Sequence, residues 1–357
     1  MGREVSGRLV VVVLGLPALF CYLLLGTTTT LHHHPPPTEQ SSHSPPTVGS
    51  CPTCGLNFIV VSDAPEGDLD DLWWADWDEV QRSRRAALYF ECHHVRKTRL
   101  KSLSKLVNAR RYLYNLLVDD RHKAIYCYVP KVACTNWKRL MMILSGRTNE
   151  TNPLNISSHI PHEEGVLTRL SGTRIKSSVL RYKLRMYTKF LIVRHPLERL
   201  VSAYRNKLVK NSTSAADFKR RYGVSIMKKY RKGVSAQNIS KSGHGITFPE
   251  FVNYLVETGQ DSLQSLNEHW APYVDLCHPC TIKYNIIGKY ETLDEDSEYI
   301  LRKIGAPHDL HFPPLVASRT ASLVADHMAS LTQELSQKLY NLYKFDFKLF
   351  EYDYPNL

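Results

Sequence analysis

The residues best suited to chemistry stand in "YCYVPKVACTNWKRLMMILSG", residues 126–146. Tyr126 to Val129 is apolar and β-favouring, and Pro130 ends that run. Trp137, Leu140, Met141 and Leu144 then fall on one face of a helix. Lys131 therefore sits in a strand-to-helix turn, followed by Val132, Ala133, Cys134, Thr135 and Asn136. Backbone N–H groups at a helix N-terminus, aided by the helix dipole, attract anions. Lys131 adds a full charge there, and Thr135 and Asn136 either cap the helix or donate to phosphate oxygens. The turn has no glycine, so it is not the G-x-x-x-x-G-K-[ST] loop of a Walker nucleotidase. Taken alone, it reads equally as an ordinary turn with a surface lysine.

A second segment, "KFLIVRHPLERLVSAYRNK" (189–207), repeats the arrangement. An apolar strand leads to Arg194, His195 and Pro196, and an amphipathic run follows through Leu197, Glu198, Arg199, Leu200, Val201 and Ser202. Arg194 and Ser202 suit a second phosphate, gripped by a guanidinium fork and a hydroxyl. The plainer alternative pairs Arg194 with Glu198. Two basic strand-to-helix turns imply a nucleotide carrying phosphates at both ends.

These turns need a scaffold, and its elements are legible. Strands are expected at Lys123–Val129, Lys189–Val193 and Tyr284–Gly288. Helices are expected around Trp137–Ser145, Leu197–Val209, Pro249–Glu257, Ser297–Lys303 and Leu331–Tyr343. Strands alternating with helices predict an α/β domain with a mainly parallel central sheet flanked by helices. The domain is expected from Leu88 to Leu357. Upstream, residues 27–87 read as a stem, with Thr27–Ser50 rich in Pro, Ser, Thr and His and expected to be disordered. An acidic, tryptophan-bearing patch, "EGDLDDLWWADWDEVQRSRR", follows and either packs as a helix on the domain or mediates self-association.

Leu9–Gly26 is an uncharged apolar run of 18 residues with Arg3 and Arg8 before it. It predicts a membrane signal anchor, with residues 1–8 cytoplasmic and the rest in the lumen. The alternative is a cleaved signal peptide. Both routes lead into the secretory pathway. Asn149, Asn155, Asn211 and Asn238 head glycosylation sequons. Of eight cysteines, Cys21 lies in the apolar run, which leaves an odd number and at least one free or intermolecular thiol. Cys51-x-x-Cys54 and Cys277-x-x-Cys280 could together make a four-thiolate zinc site, but the first pair lies in low-complexity sequence, so disulfides are expected instead, with a connectivity the sequence does not give. No metal is expected. The formal net charge of +12 calls for a polyanionic partner: nucleic acid, anionic membrane or an acidic glycan.

"VPKVACTNWKRL" and "VRHPLERLVSAYRNK" resemble the two cofactor-binding segments of Golgi carbohydrate sulfotransferases. "LNEHWAPYVDLCHPC", "IIGKYETLDEDSEYIL", "FPPLVASRTAS" and "LYKFDFKLFEY" extend that resemblance from about residue 90 to the C-terminus. They point to the branch of the chondroitin and dermatan 4-O-sulfotransferases and the HNK-1 sulfotransferase. The resemblance implies a P-loop-like sulfotransferase domain that uses 3′-phosphoadenosine 5′-phosphosulfate. It makes Pro130–Asn136 the 5′-phosphosulfate loop and Arg194 to Ser202 the 3′-phosphate site. His195 stands where an acidic residue is expected. A histidine is the expected base for the acceptor hydroxyl. His162 resembles the catalytic histidine of uronyl 2-O-sulfotransferases in position, and His269 of "NEHWAPY" competes with it; Glu268 is a further candidate. Arg319 and Thr320 are expected to reach the cofactor or the glycan, and surface cations the uronic acid carboxylates.

The implied acceptor is the 4-hydroxyl of N-acetylgalactosamine (GalNAc) in chondroitin or dermatan, at the luminal face of the Golgi membrane. Terminal GalNAc on N-glycans and the 3-hydroxyl of a terminal glucuronic acid are alternatives. Nucleic acid is not an expected partner, and oligomerisation stays open. A non-catalytic glycan-binding protein would need the basic surface but not the nucleotide grip. A luminal kinase would need metal-binding carboxylates beside the phosphates.

Overall fold

The computed structural model describes residues 47–50, 57–60, 66–94, 102–233, 235, 239, 242–261, 266–314 and 320–354. They fall into two units, Met1–Ala75 and Asp76–Leu357. In the first unit β1 (Thr47–Ser50) and β2 (Asn57–Val60) pair antiparallel. Thr47–Ser50, at the end of the stretch expected to be disordered, is thus a strand. Leu9–Gly26 lies outside the described residues, among which no helix is long and apolar enough to cross a membrane.

Helix α1 (Glu66–His94) belongs from Asp76 onward to the second unit. That unit therefore includes residues upstream of Leu88. Gln81, with no exposed surface, uses its amide as a strand would. Its Oε1 accepts from the Ile287 N–H (2.8 Å) and its Nε2 donates to the Ile287 carbonyl (3.2 Å). Arg84 Nη1 donates to the same carbonyl at 2.8 Å and to both oxygens of Asp296 at 2.7 and 2.8 Å. Burial raises the pKa of Asp296, and Arg84 opposes that shift.

The second unit is built on a four-stranded sheet in the order β3 (Leu116–Asp119), β4 (Ala124–Cys127), β5 (Thr188–Val193), β6 (Ile286–Lys289). β4, β5 and β6 are parallel, and β3 runs antiparallel to β4. The mainly parallel sheet is as expected. β3 was not anticipated, since a run of four apolar-to-acidic residues carries no decisive period. Along its outer edge the Val118 N–H donates to the Thr168 carbonyl and the Leu170 N–H to the Leu116 carbonyl, both at 2.9 Å. On β6, Gly288 admits its neighbours, because a Cβ there would lie 2.5 Å from Ile192 Cδ1.

Helix α2 (Leu103–Asn108) precedes the sheet, and α3 (Cys134–Leu144) and α4 (Ser177–Met186) connect β4 to β5. The β5–β6 connection holds α5 (Pro196–Tyr204), α6 (Thr213–Phe218), α7 (Val224–Tyr230), α8 (Phe248–Asp261) and α9 (Tyr273–Leu276). α10 (Leu293–Lys303), α11 (Thr320–Ala329) and α12 (Gln333–Leu349) follow β6. Five-residue π turns, Arg205–Val209 and Lys219–Gly223, extend α5 and α6.

All four strands are buried almost throughout. α3 seats Trp137 on the sheet, its ring 4.8 Å from Phe190, which stacks on Tyr126 at 4.9 Å. Cys127–Cys277 and Cys92–Cys280 are disulfides. Cys277 and Cys280 thus bridge to different partners, which leaves no thiolate pair there for zinc. Cys134 is free and buried, while Cys51 and Cys54 lie outside the described residues.

Replacing Asp296 by alanine should cost about 3–5 kcal/mol, because Arg84 then stays buried without its counter-charge. A chain started at Leu88, lacking Gln81 and Arg84, should melt below one started at Glu66. Thermal unfolding followed by circular dichroism checks both, and matching melting temperatures for the two chains would show that residues 66–87 contribute nothing.

Candidate active site

Three parallel strands deliver their carboxyl ends to one side of the sheet, where ligands of open α/β sheets bind. β4 leads into Pro130 and Lys131, β5 into Arg194, and β6 into Tyr290. All four line an open cleft of about 530 Å³. Thr135, Asn136, Ser202, His162 and His269 line it too, so the two basic turns and both candidate histidines converge on one space.

The first turn makes its sharp reversal without glycine. Lys131 has φ 78° and Ala133 φ 62°, left-handed values that cost an L-residue roughly 1–2 kcal/mol each. Surrounding contacts hold the strained path. Val132 is fully buried, as is Trp137 one turn into α3. The Pro130 carbonyl accepts from Arg199 Nε at 3.1 Å. Ala133 is the N-cap of α3 and no side chain caps it, so the start of the helix turns its polar end to the cleft. Burial, with the nearby charges of Lys207, Arg194 and Lys210, lowers the pKa of Lys131 to about 8.

The second turn is read through helical spacing. Arg194, Glu198, Ser202 and Asn206 recur every four residues and share a face. Arg194, Ser202 and Asn206 line the cleft, and so does Lys207 from the π turn. Arg194 does pair with Glu198, through Nη2 at 2.8 Å and Nε at 3.1 Å, and its guanidinium lies 4.2 Å from the centre of the Tyr290 ring. The clamp aligns a buried arginine at the cleft wall. The intervening residues do not line the cleft. Pro196, Leu197, Leu200 and Val201 are buried on the other faces. His195 packs against Phe347 and Tyr352, with Nε2 3.0 Å from the Asp353 carbonyl.

Arg199 is also withdrawn from the cleft, and its role is positional. It is 2% exposed, and besides Pro130 it donates to the carbonyls of Ala271 and Glu268, both at 2.8 Å. One guanidinium thereby ties the Lys131 turn to the loop that carries His269.

The two histidines differ in what their ring nitrogens do. His162 keeps part of its surface exposed, yet Lys138 Nζ lies 3.3 Å from its Nδ1 and Thr135 Oγ1 3.0 Å from its Nε2. An ammonium only donates, so Nδ1 accepts, and Nε2 carries the proton and gives it to Thr135. For His269, the backbone N–H donates to Asn267 Oδ1 at 3.0 Å, which fixes that atom as the oxygen. The same oxygen lies 2.8 Å from His269 Nδ1, so Nδ1 is protonated and Nε2 keeps its lone pair. Both rings are held neutral. Desolvation and the Lys138, Lys207, Arg169 and Arg139 charges lower His162 to about 4. Desolvation and the Lys207, Lys131 and Arg199 charges lower His269 to about 2.

Glu268 does not line the cleft, and accepts instead from the Tyr128 hydroxyl at 2.8 Å. Arg319 and Asn238 lie outside the described residues; Thr320 opens α11. Asn149, Asn155 and Asn211 are exposed. Sequence reasoning did not assign Asn206, Lys207, Tyr290 or Arg139 to the cleft. The four-residue spacing announced Asn206, and the end of β6 announced Tyr290. Among the described residues no group of three or more His, Cys, Asp or Glu side chains could hold a metal ion.

A model of the sulfotransferase family matches residues 114–353, which take in every residue of the cleft. Carbohydrate sulfotransferase 11 of Rattus norvegicus is 43% identical over 246 residues, 68% of either chain. Carbohydrate sulfotransferase 12 of Mus musculus is 37% identical over 298 residues, covering 78% of this chain and 70% of the relative. Carbohydrate sulfotransferase 14 of Homo sapiens is 38% identical over 251 residues, 70% of this chain and 62% of the relative. No solved structure gives a significant match. The chain belongs to the sulfotransferase family, and within it is a carbohydrate sulfotransferase.

Proposed function

We propose that this enzyme moves sulfate from 3′-phosphoadenosine 5′-phosphosulfate to the 4-hydroxyl of GalNAc in chondroitin or dermatan. The observation that carries the reading is the convergence of both basic turns on one cleft. The residues fit such a nucleotide. Lys131, Arg194 and Lys207 line a single space, and the Lys131 ammonium is disfavoured there until an anion offsets the neighbouring charges. When bound, the nucleotide supplies a sulfuryl group, which leaves its 5′-phosphate for the acceptor oxygen. Lys131 and the N–H groups that open α3 hold the 5′-phosphate side and stabilise negative charge as it builds there. Arg194, steadied by Glu198 and Tyr290, holds the 3′-phosphate with Ser202. His269, oriented by Asn267, takes the acceptor proton on Nε2 once the phosphates of the bound nucleotide offset the Lys207, Lys131 and Arg199 charges that add to desolvation in depressing its basicity in the free enzyme, and His162 positions Thr135. Relatives named carbohydrate sulfotransferases 11, 12 and 14 support the acceptor class. Two disulfides and the apolar run Leu9–Gly26 support an enzyme anchored in the Golgi membrane with its domain in the lumen.

Labelled-sulfate transfer to desulfated chondroitin, dermatan and a GalNAc-terminated glycan, with disaccharide analysis, tests the acceptor. Product at GalNAc O4 of the polymers is expected, and sulfate found only on the N-glycan would overturn it. Lys131→Ala and Arg194→Ala should lose activity while folding normally. Arg194→Ala should weaken adenosine 3′,5′-bisphosphate binding about 10- to 100-fold, the loss of charged hydrogen bonds. His269→Ala should abolish turnover with nucleotide binding intact, whereas His162→Ala should cost about tenfold or less. The reverse pattern in steady-state kinetics would transfer the base to His162.

A pH dependence follows from Lys131. Its pKa near 8 in the free enzyme must rise when an anion binds beside it. Affinity is then full below pH 8 and falls as pH rises, by up to about tenfold per unit. Calorimetric titration with adenosine 3′,5′-bisphosphate on both sides of pH 8 measures it, and Lys131→Ala should flatten the profile.

A further inference from the structure

Beyond His162 lies a cation that sulfuryl transfer does not use. Arg169 sits on the stretch 168–170 that is hydrogen-bonded to the outer edge of β3, which fixes its backbone. Its Nη1 donates to the Tyr114 carbonyl at 3.0 Å and to the Tyr128 hydroxyl at 3.1 Å. The guanidinium lies 4.0 Å from the centre of the Tyr114 ring and 5.3 Å from that of Tyr128. Nη1 is therefore committed, and the Nε–Nη2 edge of the fork stays available. Among the described residues no carboxylate pairs with Arg169. Glu268, which binds the same Tyr128 hydroxyl, is taken up by that bond and by Asn115 Nδ2 at 3.4 Å.

Contacts tie this fork to the reaction cleft. Lys138 Nζ lies 3.7 Å from the centre of the Tyr128 ring and 3.3 Å from His162 Nδ1, and His162 lines the cleft. Arg169 is thus linked to the cleft wall through the Tyr128–Lys138–His162 chain, and its charge is among those that lower the pKa of His162. Beside it Tyr114 is 49% exposed, a flat apolar surface next to a fixed bidentate donor. Planar forks suit carboxylates, and aromatic faces with a polar rim suit ligands that are part apolar and part wet.

We propose that Arg169, backed by Tyr114, reads the carboxylate of the uronic acid next to the sugar being sulfated. The inference rests on the chondroitin or dermatan reading and adds to it a residue that recognises the neighbouring sugar. The competing account makes Arg169 a clamp between Tyr114 and Tyr128 with no substrate contact.

The test compares Arg169→Ala and Arg169→Lys with the unaltered full chain on desulfated chondroitin and on the same polymer with its carboxyls reduced to alcohols. Binding of adenosine 3′,5′-bisphosphate and the melting temperature are followed in parallel. Arg169→Ala should raise KM for chondroitin about tenfold or more, with nucleotide affinity and turnover of the reduced polymer unchanged. Arg169→Lys should fall between, because it keeps the charge but loses the fork. Equal effects on both polymers, or none on either, would overturn the assignment in favour of the clamp. An unaltered enzyme that binds the nucleotide yet sulfates neither polymer would overturn the acceptor reading itself, and this inference with it.

Discussion

A single buried guanidinium holds the working parts together. Arg199 donates to the carbonyls of Pro130, Glu268 and Ala271, and no side-chain carboxylate touches it among the described hydrogen bonds and ion pairs. Backbone carbonyls satisfy its donors and spread its charge over three dipoles, which leaves the loops themselves as the counterweight. One of those loops carries Lys131 in a left-handed conformation, and the other carries His269. Their spacing across the cleft is therefore set from below, by a side chain that never reaches the solvent-facing wall.

Concentrating cations has its own cost. Lys131 titrates near 8 in the folded chain, against 10.5 for an ordinary lysine. Between those values the unfolded chain binds more protons than the folded one, so this residue makes the nucleotide-free enzyme more stable as pH rises through that window. At lower pH the folded state carries a crowded ammonium it would otherwise shed. A bound polyanion reverses the sign of that strain, which places the gain in binding where the apo fold is least comfortable.

Much of this was legible because the cation-bearing turns obey local rules. A strand, a proline and an amphipathic helix announce Lys131, and four-residue spacing announces Ser202 once Arg194 is placed. Arg199 shows the limit: within the same segment it reads as one more cofactor residue, and only its burial against carbonyls about 70 positions away reveals a positional role. The tautomers of His162 and His269 were illegible for a related reason. They are fixed by Lys138 for one ring and by Asn267 for the other. The partners of α1 were illegible too, because composition does not say that Gln81 and Arg84 bond to Ile287 and Asp296 about 200 positions away.

The side-chain amide of Gln81 against Ile287, and the stretch 168–170 against β3, have a joint consequence for how copies of this chain can meet. Both margins of the central sheet already have their main-chain donors and acceptors engaged at these points. Another polypeptide finds no open ladder to extend there, which guards against fibrillar stacking in a crowded compartment. Association between copies would have to run through side-chain surfaces, where it can be formed and released without disturbing the strands that hold the cleft open.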